Sequence, residues 1–154
     1  WGTTLLGMQK YGSAEEKANI AMAINRSPEA LDLKSKINKA STARDYDAEI
    51  NDLASDIDNS IAQGELVGAW NSIAALSTKV TKQSSKDILA SRKAAVLEKV
   101  KAVYADGITA YNEEDYDEAK GKFRTVIKID ANYEQAQAYL DRTNNKIRAL
   151  SGEE

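Results

Sequence analysis

Carboxylates are the chief chemically active side chains of this sequence, whose 154 residues include 24 aspartates and glutamates but no histidine and no cysteine. The missing histidine removes the commonest general base, and the missing cysteine removes thiol nucleophiles. Imidazole and thiolate ligands for zinc are also absent. Two facing carboxylates could still hydrolyse a glycoside, but no acidic residue is marked out by its neighbours. We therefore predict a non-catalytic protein with no cofactor and no metal.

The densest acidic segment, residues 113–118, reads EEDYDE. A calcium loop would need oxygen ligands at loop spacing and a sharp glycine turn, and this segment has neither. Acidic residues are favourable at a helix N-terminus because of the helix dipole, so we predict that the segment starts a helix. The sequence also contains no glycine-rich phosphate-binding loop of the G-x-x-x-x-G-K-S/T or G-x-G-x-x-G type.

Composition narrows the class of protein further. The chain is 42% hydrophobic and 29% charged with a single proline, which is typical of a folded, helix-rich domain. Its net charge is −3 and its basic residues are interleaved with acids, which disfavours nucleic-acid binding. No run reaches the roughly 18 apolar residues of a membrane span. The chain begins at Trp1, so we expect a fragment of a longer protein. Its location stays open, and an exported bacterial cell-envelope domain is compatible with it.

Apolar residues recur at helical spacing along nearly the whole chain. The clearest stripe steps by four, three, four and four residues through Tyr46, Ile50, Leu53, Ile57 and Ile61. Residues typical of helix boundaries separate the stripes. Predicted helix starts are Ser13 with Glu16 as a capping box, Ser27 before Pro28, Asp115 and Asp130, and Gly64 is a predicted helix stop. Ser41-Thr42 marks either a break or a kink. The pattern predicts an all-α fold of stacked antiparallel helical hairpins.

One hairpin, within residues 106–133, carries a recognisable pattern. Gly107 supplies a small residue on the first helix, where a second helix can approach closely. The second helix begins with an aromatic residue and continues with one small and two larger apolar residues: Tyr116, Ala119, Phe123 and Val126. This arrangement resembles the tetratricopeptide repeat. Asp130-Ala131 stands where that family usually has Asp-Pro.

Weaker copies of the pattern precede it. At an offset of 50 residues, the second-helix positions are taken by Leu66, Ala69, Ile73 and Leu76. At an offset of 103 residues, Ile20, Ala23 and Ser27-Pro28 fall on Phe123, Val126 and Asp130-Ala131. We therefore predict a single tetratricopeptide-like domain with units at about 3–40, 44–82 and 86–130 and a capping helix at about 131–150. These units are longer than the family's usual repeat of about 34 residues, which predicts elongated or additional helices.

The resemblance implies a protein–protein interaction scaffold that holds a partner segment against the first helix of each hairpin. Carried over position by position, this groove would present Tyr104, Ile108, Tyr111 and Asn112 from the last unit, Asp58 and Ile61 from the middle unit, and Met8 from the first. The alternative is that several of these side chains belong to the core. Trp70 is either a partner anchor or a residue packed on a neighbouring helix.

A second hypothesis is a structural subunit that associates with itself or with a larger assembly. Apolar residues of the last helix alternate by three and four positions: Tyr133, Ala136, Leu140, Thr143, Ile147 and Leu150. This stripe is shorter than three heptads, so it suits a capping helix as well as a homo-oligomer contact. The identity of the partner protein stays open.

Overall fold

The computed structural model describes residues 2–24 and 26–152, and the regular secondary structure of these residues is entirely α-helical. The all-α prediction is confirmed. The described helices are α1 Gly2–Gly7, α2 Tyr11–Ile24, α3 Pro28–Ala62, α4 Leu66–Ser77, α5 Gln83–Asn112, α6 Tyr116–Ile129 and α7 Ala136–Ser151. They group into two compact units, which we call the N-terminal unit (Trp1–Asn51) and the C-terminal unit (Asp52–Glu154).

The N-terminal unit contains α1, α2 and the first part of α3. Its buried cluster is small and consists of Ala14, Ala18 and Ile37, with Leu5, Leu6 and Leu33 packed against it. Gly2 lets α1 approach α3 closely, because a Cβ at this position would lie 2.9 Å from Cδ2 of Leu33. Among the described residues of this unit, four large apolar side chains are exposed to solvent: Met8 (61% exposed), Ile20 (46%), Ile24 (81%) and Leu31 (51%).

The C-terminal unit contains the end of α3 and helices α4 to α7. Here α5 packs on α6, α6 packs on α7, and α4 contacts both α5 and α6. The buried side chains come from every one of these helices, and Phe123 is the largest of those that are fully buried. The core of this unit therefore combines aromatic with aliphatic side chains.

Helix α3 begins and ends at the predicted signals. Ser27 Oγ accepts a hydrogen bond from the Ala30 amide at 3.3 Å, as an N-cap should. Gly64 follows the helix in the left-handed conformation with φ 77°, which glycine adopts at little cost. Between these ends the helix is continuous, so Ser41 and Thr42 produce no break.

Two predicted helix starts are wrong. Helix α2 begins at Tyr11 and not after Ser13, because left-handed Gln9 (φ 58°) has already reversed the chain. Helix α7 begins at Ala136 and not after Asp130, so the predicted capping helix starts five residues late. The Asp130 carboxylate instead accepts a hydrogen bond from the Asn132 amide within a turn. Tyr133 lies in that connection and not on the helix.

The same turn joins three consecutive pairs of helices: α1 to α2, α3 to α4 and α5 to α6. Its central residue is left-handed in each: Gln9 (φ 58°), Gly64 (φ 77°) and Glu114 (φ 65°). In each, the next amide reaches back five residues to a carbonyl at 2.9 Å, with Lys10 bonded to Leu5, Glu65 to Ser60 and Asp115 to Ala110. Gly64 stands 50 residues before Glu114, and Gln9 stands 105 residues before it.

Candidate protein-binding site

The hairpin of α5 and α6 is built on a close contact between the two helices. A Cβ at Gly107 would lie 2.9 Å from Cε1 of Phe123 and 3.1 Å from Cβ of Lys122, so only glycine fits without a shift of the ring. Ala119, Phe123 and Val126 are fully buried on α6, whereas Tyr116 at its start is partly exposed. The residues of the sequence pattern therefore lie together at one helix–helix contact.

Helix α7 covers the other side of this hairpin with Tyr139. Its ring stacks on Phe123 with centroids 5.2 Å apart and an interplanar angle of 19°. It meets Tyr104 edge-on at 6.2 Å and Tyr111 edge-on at 5.7 Å. The Arg142 guanidinium stands 5.5 Å from the centroid of the same ring. Tyr139 thus links α5, α6 and α7 through a single side chain.

Burial changes the acidity of two phenols in this cluster. Burial raises the pKa of Tyr104 above its ordinary value, although a backbone hydrogen bond from Gln135 opposes the shift. Burial also raises the pKa of Tyr133, and the nearby Glu134 carboxylate adds to this effect. Both phenols therefore stay neutral at pH values where a free tyrosine begins to ionise.

The last unit's groove residues differ in accessibility. Tyr104 is only 8% exposed and packs against Phe123 and Tyr133, so it is a core residue in this structure. Tyr111 is partly buried between Tyr116 and Tyr139. Ile108 is partly buried as well, whereas Asn112 at the end of α5 is exposed. The accessible part of this surface therefore lies toward the C-terminal end of α5.

The remaining groove residues lie on two other helical segments. Asp58 on α3 forms an ion pair with Arg92 on α5, with 2.7 Å between the carboxylate oxygen and the guanidinium nitrogen. Ile61, one turn further along α3, is partly buried. Met8 belongs to the N-terminal unit, where it is 61% exposed. Asp58 and Ile61 share the C-terminal unit with the candidates on α5.

Trp70 on α4 lies against the neighbouring helix α5. The Lys93 ammonium of α5 stands 5.7 Å from the centroid of its ring. A small, mainly apolar cleft of about 240 Å³ adjoins the pair and is also lined by Ile73, Ala74, Ser77 and Leu89. The tryptophan is partly buried there, which agrees with a packing role.

A larger cleft lies between the α5–α6 turn and the end of α7. Its volume is about 590 Å³, and we call it the acidic cleft; its lining residues are Glu113, Glu114, Asp115, Tyr116, Asp117, Ile147, Leu150 and Ser151. Leu150 is 75% exposed at its edge. The Asp115 carboxylate caps α6 by accepting a hydrogen bond from the Glu118 amide at 3.1 Å, as predicted.

Sequence reasoning missed two parts of this region. Tyr139 lies outside the predicted apolar stripe of the last helix, but its spacing of three residues from Ala136 and four from Thr143, both fully buried, is the signal that would have found it. The acidic cleft was missed because its two walls lie about 30 residues apart in the chain. Only the folded chain brings the acidic segment close to the exposed leucine of the last helix.

The described residues form neither a metal-binding cluster nor a membrane-spanning helix. Within residues 2–24 and 26–152, no cluster of three or more acidic residues is arranged to hold a metal ion. In that same part of the chain, no helix has the length and hydrophobicity needed to cross a lipid bilayer. Comparison with known proteins found no matching family model, no similar curated protein and no similar solved structure.

Proposed function

We propose that this chain is a non-catalytic scaffold that binds a segment of another protein. The observation that carries the proposal is the recurrence of one hairpin turn at Gln9, Gly64 and Glu114, with the same left-handed residue and the same backbone hydrogen bonds. Recurrent hairpins are the building principle of helical-repeat proteins, which bind partners along extended surfaces. The resemblance of residues 106–133 to a tetratricopeptide repeat supports the same class of function.

The binding surface would lie in the C-terminal unit, where the hairpin is held by a rigid aromatic cluster. Partner binding costs less when the surface is already ordered, because fewer side chains lose freedom. Phe123, Tyr104 and Tyr139 contact one another and hold α5, α6 and α7 together. The accessible residues beside this cluster, Asn112 and Tyr111, are then positioned for contact with a partner.

A site-specific crosslinking experiment tests this proposal. A photo-reactive benzoylphenylalanine would replace Asn112 at the exposed end of α5, and in a matched variant Ala75 at an exposed position of α4. Irradiation in the source cells, followed by mass spectrometry, identifies the covalent adducts. We expect an adduct with a different protein at position 112 and none at position 75. Equal adducts at both positions, or none at either, would contradict the proposal.

Self-association is the second candidate function. Large apolar side chains are exposed on both units, including Ile24 at 81% and Leu150 at 75%. Exposed apolar patches often mark contacts between proteins. Light scattering with size-exclusion chromatography across a range of concentrations measures this directly, since a structural subunit would grow in mass with concentration. A crosslinked product containing only this chain at position 112 would favour self-association over the scaffold.

A further inference from the structure

The lining of the acidic cleft combines apolar side chains with charged side chains of one sign. Tyr116, Ile147 and Leu150 supply the apolar surface. Four acidic residues line the cleft, namely Glu113, Glu114, Asp115 and Asp117, and its lining contains no lysine or arginine. The basic residues that flank Ile147 along α7, Lys146 and Arg148, are not part of the lining.

The charges of the lining are available to a partner. Asp115 is engaged in capping α6, whereas Glu113, Glu114 and Asp117 are exposed and form no ion pair with any residue that the structure describes. The nearest paired acids belong to the next turn and to α5, where Lys122 contacts Glu118 and Asp106. Exposed like charges around a small cleft attract a segment of opposite charge and raise its rate of association.

We propose that the acidic cleft binds a basic amphipathic helix or segment of another protein, with an aliphatic side chain against Tyr116, Ile147 and Leu150 and lysines or arginines beside Glu113, Glu114 and Asp117. The volume of about 590 Å³ is sufficient for a large aliphatic side chain. Leu150, at 75% exposure, is the apolar residue that the partner would cover. This inference rests on the proposed scaffold function and names the chemistry of its partner.

A second copy of this chain fits the cleft less well. Its own last helix carries Arg142, Lys146 and Arg148 beside a single acid, Asp141, but Ile147 and Leu150 of that helix already line the cleft. The chain as a whole is also acidic, with a net charge of −3. A basic partner segment gains from every charge of the lining and meets no like charge there.

The test uses the full chain and a synthetic peptide of about 15 residues, long enough for four helical turns. One face of the peptide carries leucine and the other lysine, and a control peptide carries glutamate in place of lysine. Binding is measured by calorimetry and mapped by amide chemical shifts. We expect only the lysine peptide to bind, with shifts confined to the acidic cleft and an affinity that falls as salt screens the charges.

Variants separate a specific cleft from general attraction to an acidic protein. The triple variant Glu113→Gln/Glu114→Gln/Asp117→Asn keeps the Asp115 cap, and we expect about tenfold weaker binding from three exposed charge contacts. Leu150→Ser removes the apolar contact at an exposed position and should also weaken binding. The matched control Glu15→Gln/Glu16→Gln/Asp56→Asn removes the same charge from exposed positions outside the cleft and should bind like the parent chain.

Three results would overturn the inference. The first is a change of amide chemical shifts outside the cleft when the peptide binds. The second is an equal loss of peptide affinity in the cleft and control variants. The third is a dimer of the chain that dissociates in Leu150→Ser. The charge variant also separates this inference from the scaffold function. If the Asn112 crosslink to another protein persists in that variant, the scaffold stands and the basic-partner assignment falls. If no crosslink forms in the parent chain, the scaffold itself falls.

Discussion

The two units close a hairpin with the same turn but fill the space behind it differently. In the register set by the turns, Gly2 corresponds to Gly107, Ala14 to Ala119 and Ala18 to Phe123. The N-terminal unit thus buries an alanine where the C-terminal unit buries a phenylalanine. Among the residues that the structure describes, four large apolar side chains are exposed in the N-terminal unit and Leu150 alone in the C-terminal unit. The same turn is therefore followed by different packing: Leu33 of α3 lies nearest Gly2, whereas Phe123 of α6 lies nearest Gly107.

The largest expected effect comes from removing the phenylalanine. Phe123→Ala should lower the free energy of unfolding by about 3–5 kcal/mol, because it deletes a fully buried ring that contacts Tyr104 and Tyr139. The matched change in the N-terminal unit, Ala18→Gly, should cost about 1 kcal/mol through helix propensity. Urea unfolding followed by circular dichroism measures both. Similar losses for the two variants would remove the distinction between the cores.

A smaller effect is expected at the close contact itself. Gly107→Ala should cost about 1–3 kcal/mol, since the new Cβ would lie 2.9 Å from the Phe123 ring and force it to move. Gly121 on α6 provides the control, because a Cβ there meets no atom within 4 Å. Gly121→Ala should therefore stabilise the chain by up to about 1 kcal/mol. Thermal unfolding should show a lower melting temperature for Gly107→Ala and a higher one for Gly121→Ala. An unchanged melting temperature for Gly107→Ala would contradict the packing described.

The recurrent turn predicts effects of opposite sign at equivalent positions. Gly64→Ala should lower the free energy of unfolding by about 1 kcal/mol, because a residue with a side chain is strained in the left-handed conformation. Glu114→Gly and Gln9→Gly relieve the same strain, and each should stabilise its turn by a similar amount. Denaturant midpoints of the three variants measure these effects. A loss of stability on placing glycine at position 9 or 114 would mean that the turns are not equivalent.

The smallest effect concerns alkaline pH. Because the pKa of Tyr104 is raised, the folded chain holds the phenol proton more tightly than the unfolded chain does. This contribution to stability is complete below about pH 10, the ordinary tyrosine value, and is lost as pH rises through the raised pKa. Tyr104→Phe cannot ionise, so its unfolding free energy should fall less steeply above pH 10 than that of the parent chain. Parallel pH profiles would contradict the burial of this phenol.

Local patterns in the sequence predicted some elements well for physical reasons. Pro28 after Ser27, Gly64 and Asp115 act through their own backbone or side chain within a few residues, so their roles can be read without a three-dimensional structure. Gly107 and Phe123 were placed together because a close helix contact demands a small residue opposite a large one.

Other elements depend on contacts between distant segments. The sequence leaves open whether Tyr104 lines a groove or belongs to the core, because Tyr133 and Tyr139, which contact its ring, lie about 30 residues further along the chain. Ser13 and Asp130 have the chemistry of helix caps, yet Gln9 and Glu134 adopt positive φ and shift the helix starts. Gln9 and Glu134 are not glycines, so the sequence carries no simple signal for these turns.

Hydrogen exchange of backbone amides in the full chain most directly tests the claim that the C-terminal unit is the ordered scaffold. Amides of α6 beside Phe123 and Val126 should exchange slowest, through global unfolding, since these residues are fully buried. Amides of α2 beside Ala14 and Ala18 should exchange faster, through local opening of the smaller alanine core. Equal protection of α2 and α6 would contradict the account, because the two cores would then be equally stable.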